Sequence, residues 1–346
     1  MKDDIYNYSR KSFEEYFESI GSPKFRATQL FEALYKQRIR DFSEITNFKK
    51  EFRLILDETF KFGDLQIQKE QISEDGTRKY LFGLEDGLMI ETVLMNHNYG
   101  YSVCVTTQAG CNMGCMFCAS GQTKKIRNLT TAEMVLQVLK IDEMLRKDGN
   151  RVSHVVIMGI GEPFDNYDNV IEFIRIINDD KGLEIGSRHI TVSTCGIVPK
   201  IYEFSELPLQ VNLAVSLHFT TDEMRSRYMK INRAYGLEEL FKALRYYYEK
   251  TNRKITFEYI MLAGINDSLE DAKRLAELVK GMNAYVNLIP YNETGIFKRS
   301  DEKTRRAFFD YLMKNGVNAI MRKEQGHDID AACGQLRLKE MRCKKD

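Results

Sequence analysis

From residue 101 onward the chain alternates short apolar runs with amphipathic helical stretches, a pattern that restricts it to a parallel sheet covered by helices. The runs VSHVVIMG, HITVSTCG, VNLAVSLH, KITFEYIML and AYVNLIPYN are rich in β-branched residues and apolar along most of their length, as strands buried on both faces are. A last run, NAIMRKE, follows them, and Tyr101, Val103 and Val105 alternate in an earlier one. Helical patterns fall between the runs, around 166–178, 199–205, 236–250, 267–282 and 300–315. Thr130-x-x-Glu133 is a capping box that opens the helix TAEMVLQVLKIDEML. Counting the strand that ends at Val105, six or seven βα units fit, fewer than the eight of a closed barrel. The expected fold is α/β, a partial (βα)6-type barrel.

Ahead of it, residues 1–60 read as a small helical N-terminal domain. The stretch SPKFRATQLFEALYKQRIRDFSEI sets Phe25, Leu30, Leu34 and Phe42 among charged residues, with Ser22-Pro23 as the helix entrance. Residues 61–100 read as a β-rich connecting segment whose turns are Glu74-Asp75-Gly76 and Glu85-Asp86-Gly87. Residues 101–346 form the third region, which carries the alternating strand-and-helix pattern and all seven cysteines. Basic and acidic residues nearly cancel, 51 against 50, so overall charge advertises neither nucleic acid nor membrane. No apolar run approaches the roughly 18–20 residues of a membrane span, and the N-terminus lacks the pattern of a signal peptide. A cytoplasmic location is expected. Seven cysteines in that reducing compartment point to ligands, catalysts or buried thiols rather than structural disulfides.

Three of these cysteines, Cys111, Cys115 and Cys118, share the loop QAGCNMGCMFCASG with the spacing C-x3-C-x2-C. Thiolates are soft ligands suited to iron–sulfur clusters and to zinc. Three of them can hold three irons of a [4Fe-4S] cluster and leave the fourth iron open to S-adenosylmethionine. The competing readings are a zinc site or buried structural cysteines. Structural zinc sites usually pair two C-x2-C knuckles and close with a fourth ligand, and neither feature is evident. An aromatic directly before the last cysteine, Phe117, adds to a resemblance to the radical S-adenosylmethionine superfamily.

In α/β barrels the chemistry sits at the C-terminal ends of the strands. Gly161 and Glu162 follow VSHVVIM, Ser193 ends HITVS, Ser216, Leu217 and His218 end VNLAV, and Asn292 ends AYVNLIPY. Each alone has a bland structural explanation. Together they ring one mouth: the glycines allow close approach of a ligand, Glu162 can bind an ammonium group, and Ser193, Ser216 and Asn292 can hydrogen-bond a carboxylate, ribose or adenine.

Cys104 precedes Cys111 by seven residues, and Cys333 stands far away in GHDIDAACGQL. With these the chain resembles the RlmN/Cfr family of radical methyltransferases, which act on an adenine of 23S ribosomal RNA. The matching stretches are FRATQLFEALY, ETVLM at 91–95, SVCVTTQAGC at 102–111, the cysteine loop, RNLTTAE at 127–133, MGIGEP at 158–163, HITVST at 189–194, VNLAVSLH at 211–218, NLIPYN at 287–292 and DIDAACGQL at 328–336.

The resemblance implies that Cys111, Cys115 and Cys118 ligate a [4Fe-4S] cluster. It implies that Gly161, Glu162, Ser193, Ser216, Leu217, His218 and Asn292 contact S-adenosylmethionine, consumed twice per turnover. Cys333 would be methylated, Cys104 would resolve the resulting protein–RNA adduct, and Glu91 would be a proton acceptor. The implied product is adenosine 2503 of 23S rRNA methylated at carbon 2, with adenosine 37 of tRNA as a second expected target. An electron donor of the flavodoxin or ferredoxin kind and a monomeric state complete the expectation. Methylation at carbon 8, as in Cfr, is the rival; Glu162-Pro163 follows the carbon-2 enzymes, where carbon-8 enzymes tend to carry alanine after the glutamate. A metal-binding RNA adaptor without catalysis is a second rival.

The chain departs from the family pattern at Glu293, at Phe219-Thr220 and at Cys195, where relatives usually carry proline, Ala-Pro and serine. Cys195 and Cys343 read as incidental thiols. Lys124, Lys125 and Arg127 after the cysteine loop, with Arg337, Lys339, Arg342, Lys344 and Lys345 in the tail, are the candidate phosphate contacts, although such runs are more often solvated surface.

Overall fold

The structure is a computed structural model that describes residues 2–293, 296–326, 328–330 and 334–337. Cys333, Cys343 and the basic residues Lys339, Arg342, Lys344 and Lys345 lie outside the described residues.

Ten strands form one sheet among the described residues, and they sit side by side in the order in which the chain makes them. They are β1 (Gln66–Ile72), β2 (Arg78–Gly83), β3 (Met89–His97), β4 (Gly100–Cys104), β5 (Val152–Ile157), β6 (Ile190–Thr194), β7 (Asn212–Ser216), β8 (Ile255–Met261), β9 (Ala284–Pro290) and β10 (Asn318–Met321). The first four are antiparallel neighbours. From β4 to β10 every pairing is parallel. Because β10 and β1 are the two edges of the sheet, the barrel is open, the partial (βα)6-type architecture expected.

Parallel neighbours cannot be joined by a tight turn, so each of the six crossovers carries a helix. The N-terminal helices are α1 (Arg10–Ser19), α2 (Phe25–Glu32) and α3 (Lys50–Thr59). The crossover helices are α4 (Thr131–Arg146), α5 (Tyr167–Asn178), α6 (Val198–Ser205), α7 (Asp222–Tyr228), α8 (Leu237–Thr251), α9 (Leu269–Val279) and α10 (Glu302–Lys314). The capping box forms as read: Thr130 Oγ1 accepts from Glu133 N, and Glu133 Oε2 accepts from Thr130 N at 2.9 Å. Helix α7 has no counterpart in the sequence reading. Its seven residues, DEMRSRY, carry too few apolar positions to register as a period.

Turn glycines Gly76 and Gly87 both have positive φ, so the two acidic turn signals do close hairpins. The segment they organise is no separate layer: β3 pairs with β4 from Val93–Cys104 to His97–Gly100, which makes β1–β3 an antiparallel flank of the barrel sheet. In the N-terminal part Leu30, Leu34 and Phe42 are buried, but Phe25, at the first position of α2, is 60% exposed.

The N-terminal part shares the barrel's hydrophobic core, and α1 is tied to α5 by polar contacts. Ser9 N and Ser12 Oγ donate to Glu172 Oε1, and Arg10 Nε meets Asp179 Oδ2 at 2.9 Å. Asp142, buried on α4, is the junction. It accepts from Arg38, from Arg146 Nε at 2.6 Å and from the backbone N–H of Val152 at 2.9 Å, tying the N-terminal part, α4 and the start of β5 to one carboxylate. Arg38 is mostly buried, so removal of its partner strands a guanidinium. Asp142→Ala is expected to lower unfolding free energy by about 3 kcal/mol, against about 1 kcal/mol for loss of the cap in Thr130→Ala; urea unfolding of both variants checks the ranking.

Candidate active site

The C-terminal ends of the parallel strands open onto a cavity of about 890 Å³, near the upper end of the range for small-molecule sites. The cluster loop enters it from β4. Where β4 leaves the sheet, one buried side chain from α4 replaces a neighbouring strand: Gln137 Oε1 accepts from Thr106 N, and Gln137 Nε2 donates to Thr106 O, both at 2.9 Å. Beyond it, Thr107 N and Gln108 N donate to Ile160 O. A two-residue antiparallel pairing, Gln108–Ala109 with Arg127–Asn128, then pinches the loop at its base. Within that pinch Cys111, Cys115 and Cys118 all line the cavity. Phe117 anchors the loop by packing edge-on to His218, with ring centroids 4.9 Å apart.

No three His, Cys, Asp or Glu side chains among the described residues converge on one point as a single metal ion demands. The three thiols line one cavity and act electrostatically on one another, a donor set suited to a cluster whose irons each take one thiolate. Burial pushes the Cys111 thiol up to about 11, with the neighbouring Cys118 adding to the effect, and it pushes Cys115 up further. Holding Cys111 and Cys115 as thiolates therefore requires a strong local positive charge, which metal coordination supplies. The donor set fits an iron–sulfur cluster.

The other predicted residues are placed unequally. Gly161, Glu162, Ser193, Ser216, His218 and Asn292 all line the cavity. Leu217 does not; its side chain is in the barrel core, and only its backbone lies at the strand end. Gly161 has φ +111°, and a Cβ there would sit 2.7 Å from Gln108 Cβ. Its missing side chain thus lets the β5 loop close onto the cluster loop, a structural reason distinct from approach to a ligand. Glu162, buried, accepts from Phe164 N at 3.0 Å and Cys195 N at 2.8 Å. Burial pushes its carboxyl above the ordinary range, and those backbone donors oppose the shift. His218 has φ +59°, and its Nδ1 accepts from Ile260 N at 3.1 Å. Burial, aided by the charge of Arg225, depresses its pKa to about 3, so it is a neutral imidazole with Nε2 as donor.

Cys104 lines the same cavity beside Val93, Met95, Val156 and Met158. Ile329, Asp330 and Gln335, which flank Cys333 in sequence, line it as well. Glu91 is not in the cavity wall. It is 3% exposed and held by Lys79 Nζ at 2.8 Å.

Sequence reading missed several residues. Arg225, fully buried on α7, donates to Cys195 O at 2.6 Å, Leu217 O at 3.3 Å and Asn232 Oδ1 at 2.9 Å, fixing the ends of β6 and β7. In DEMRSRY it has the surroundings of a solvated residue, and no local signal separates it from Arg227. Glu258 on β8 faces the cavity, takes a bond from Asn287 Nδ2 at 2.8 Å and is shifted upward by burial. Cys195, read as incidental, lies in the cavity wall beside the cluster loop. Two of the basic residues read as phosphate contacts have partners: Lys125 meets Asp165 at 2.6 Å, and Arg127 spans Asp86 and Glu133. Arg337 is buried, and Lys124 is exposed.

Residues 105–279 match the Radical SAM superfamily, and residues 3–61 match the ribosomal RNA large subunit methyltransferase N-terminal domain. The chain is 54% identical over 353 aligned residues to the probable dual-specificity RNA methyltransferase RlmN of Streptococcus pyogenes serotype M5 (strain Manfredo), covering 100% of this chain and 98% of that protein. The chain belongs to the RlmN family of radical S-adenosylmethionine RNA methyltransferases. The serotype M2 (strain MGAS10270) RlmN matches to the same extent. A crystal structure of a radical SAM methyltransferase from Sphaerobacter thermophilus superposes with a TM-score of 0.89 at 40% identity, over 96% of this chain and 98% of that one. Membership in the RlmN family implies a [4Fe-4S] cluster and S-adenosylmethionine. Among the described residues no helix is long and apolar enough to cross a membrane.

The neutral His218 has a pH signature. Above about 6.5 the imidazole is neutral in both states and contributes no slope; as pH falls from about 6.5 toward about 3, the unfolded chain takes up a proton that the folded site refuses. Stability is lost in that window at up to ~1.4 kcal/mol per pH unit. Thermal melts of His218→Asn against the parent across that range are expected to show a shallower loss in the variant.

Proposed function

We propose that this RlmN-family enzyme methylates carbon 2 of adenosine 2503 in 23S rRNA and also adenosine 37 of tRNA, through a methylated Cys333 and a transient protein–RNA adduct. The dual-specificity name of its relatives supports the pair of substrates, and Glu162-Pro163 supports carbon 2 over carbon 8. The observation that carries the reading is the shared cavity: Cys104, the three cluster cysteines and the residues on either side of Cys333 line one wall system.

In this reading Cys111, Cys115 and Cys118 would hold the cluster, whose chemistry when bound would be the one-electron reduction of S-adenosylmethionine. Gly161, Glu162, Ser193, Ser216, Leu217 (through its backbone), His218 and Asn292 hold S-adenosylmethionine. Glu162 offers a carboxylate to the ammonium group, and neutral His218 offers its Nε2–H without adding positive charge. Arg225 holds the two strand ends that carry Ser193 and Ser216.

Carbon 2 of adenine is electrophilic and cannot take a methyl by ordinary nucleophilic attack on a sulfonium. The Cys333 thiolate therefore accepts the methyl from a first S-adenosylmethionine. A second one would be cleaved, and loss of a hydrogen atom from the Cys333 methyl group to the resulting 5′-deoxyadenosyl radical would leave a carbon radical that adds to carbon 2. The adduct would return one electron to the oxidised cluster and give up the carbon-2 proton to a base. The Cys104 thiolate would then attack the Cys333 sulfur, forming a disulfide as the sulfur–methylene bond breaks, and the freed methylene would take up a proton to become the methyl group of the released base. The cavity must therefore receive an unstacked nucleotide beside S-adenosylmethionine, in keeping with its volume. Residues 1–60 are assigned to RNA contact, 61–100 to the flank that supports the C-terminal segment, and 101–346 to catalysis. A cytoplasmic monomer supplied with electrons by a flavodoxin or ferredoxin completes the proposal.

Cys104→Ala, prepared anaerobically, is expected to accumulate a covalent RNA adduct because nothing resolves it. Sequencing the attached RNA names the substrates, and mass spectrometry of RNA methylated by the parent enzyme locates the methyl group. Free, fully methylated RNA from the variant would refute the role of Cys104, and a carbon-8 product would overturn the regiochemistry. A colourless, zinc-filled protein unable to cleave S-adenosylmethionine would favour a non-catalytic adaptor.

A further inference from the structure

Glu91 and Lys79 occupy neighbouring strands of the antiparallel flank. Leu81 on β2 stands opposite Glu91 on β3, so Lys79, two residues away, is the diagonal neighbour on the same face. Both side chains are nearly inaccessible, at 0% and 3% exposure. Val93 and Met95, which share the face of Glu91 by strand alternation, line the cavity; Glu91 does not.

What covers Glu91 is the C-terminal segment. Glu91 Oε2 accepts from Gly334 N and Oε1 accepts from Arg337 N, each at 2.6 Å, while Lys79 Nζ donates to Asp330 O at 2.6 Å. Both carboxylate oxygens and the ammonium group are thus spent on the two backbone flanks of residues 331–333. More of the flank joins in: Gln71 exchanges bonds with Asp330, Glu74 N donates to Asp328 Oδ2 at 3.0 Å, and Gly326 N donates to Asp75 Oδ2 at 2.9 Å. On its other side Gly334 (φ +82°) is pressed on the cluster loop so closely that a Cβ would sit 2.7 Å from Ser120 Oγ.

We propose that Glu91 and Lys79 form a buried clamp that holds the C-terminal segment on both sides of Cys333, making Glu91 a positioning residue instead of the acceptor of a proton from RNA. A carboxylate bound to two amides and an ammonium group, behind the cavity wall, must break all three contacts before it reaches a nucleobase. Holding the segment is what those contacts already accomplish, since Cys333 is one peptide bond from Gly334. The clamp's consequence for chemistry rests on the proposed role of Cys333 as methyl carrier.

The test uses full-length, cluster-loaded protein as the parent, as Glu91→Gln, as Lys79→Met and as the double variant. The double variant removes both charges together, so no single buried charge is left unpaired if a single variant folds poorly. Two readouts are taken without RNA: hydrogen exchange at the amides of Gly334 and Arg337, and the fraction of Cys333 methylated after incubation with S-adenosylmethionine. The clamp predicts exchange about tenfold faster or more at those amides. It also predicts a comparable fall in Cys333 methylation in every variant, with iron content unchanged. Parent-like exchange and parent-like Cys333 methylation in Glu91→Gln, with loss confined to the RNA product, would overturn the clamp and restore a proton-acceptor role. Faster exchange in the variants of a parent that never methylates Cys333 would support the clamp and refute the methyl-carrier mechanism instead.

Discussion

Parallel strand pairing is the constraint on which the rest of the molecule depends. Seven strands that run the same way present their C-terminal ends along one rim, and every connection must recross the sheet as a helix. Residues as far apart in sequence as Cys111, Glu162, Ser193, His218 and Asn292 therefore reach one cavity without any local signal drawing them together. The antiparallel flank β1–β3 extends that sheet on one side, and the C-terminal segment is tied to the flank. One continuous backbone ladder thus fixes the position of the cluster loop relative to both ends of the catalytic machinery.

The rim is stabilised by polar groups that the fold buries and then satisfies. Gln137 completes the hydrogen bonding of Thr106 where β4 breaks away. Arg225 gathers backbone carbonyls from two strand ends, and Glu162 gathers amides from two loops. Each is costly to bury unpaired and inexpensive to bury in this geometry, so each makes the loop arrangement specific. The sign of the charge differs by location. A fixed guanidinium holds the ends of β6 and β7, a carboxyl group sits behind the β5 loop, and His218 is kept neutral by burial, with the charge of Arg225 adding to the effect.

Much of the fold was legible because burial on both strand faces leaves a composition that survives in one dimension: the strand runs from 152 to 290 and their intervening helices, α7 excepted, fall where the apolar pattern put them. The capping box at Thr130 and the two acidic turns are local motifs whose partners lie within four residues, and they formed as read. Residues whose surroundings come from elsewhere were misjudged. Arg225 and Cys195 sit in unremarkable local sequence, and Lys125 and Arg127 spend their charge on carboxylates brought near by folding. Phe25 fits the apolar stripe of α2, yet at the first helical position it points past the core.

The sequence by itself determined the parallel α/β class, the thiolate loop and the polar strand ends, because these follow from period, spacing and side-chain chemistry alone. Only the tertiary structure decided which of those residues face the cavity. It put the side chain of Leu217 in the core and gave Gly161 a neighbouring loop to accommodate. It also decided the surroundings of Glu91. A glutamate in ETVLM carries no trace in sequence of a lysine twelve residues before it or of amides more than two hundred residues after it. Long-range hydrogen bonds are set by strand register, and register exists only once the sheet has formed.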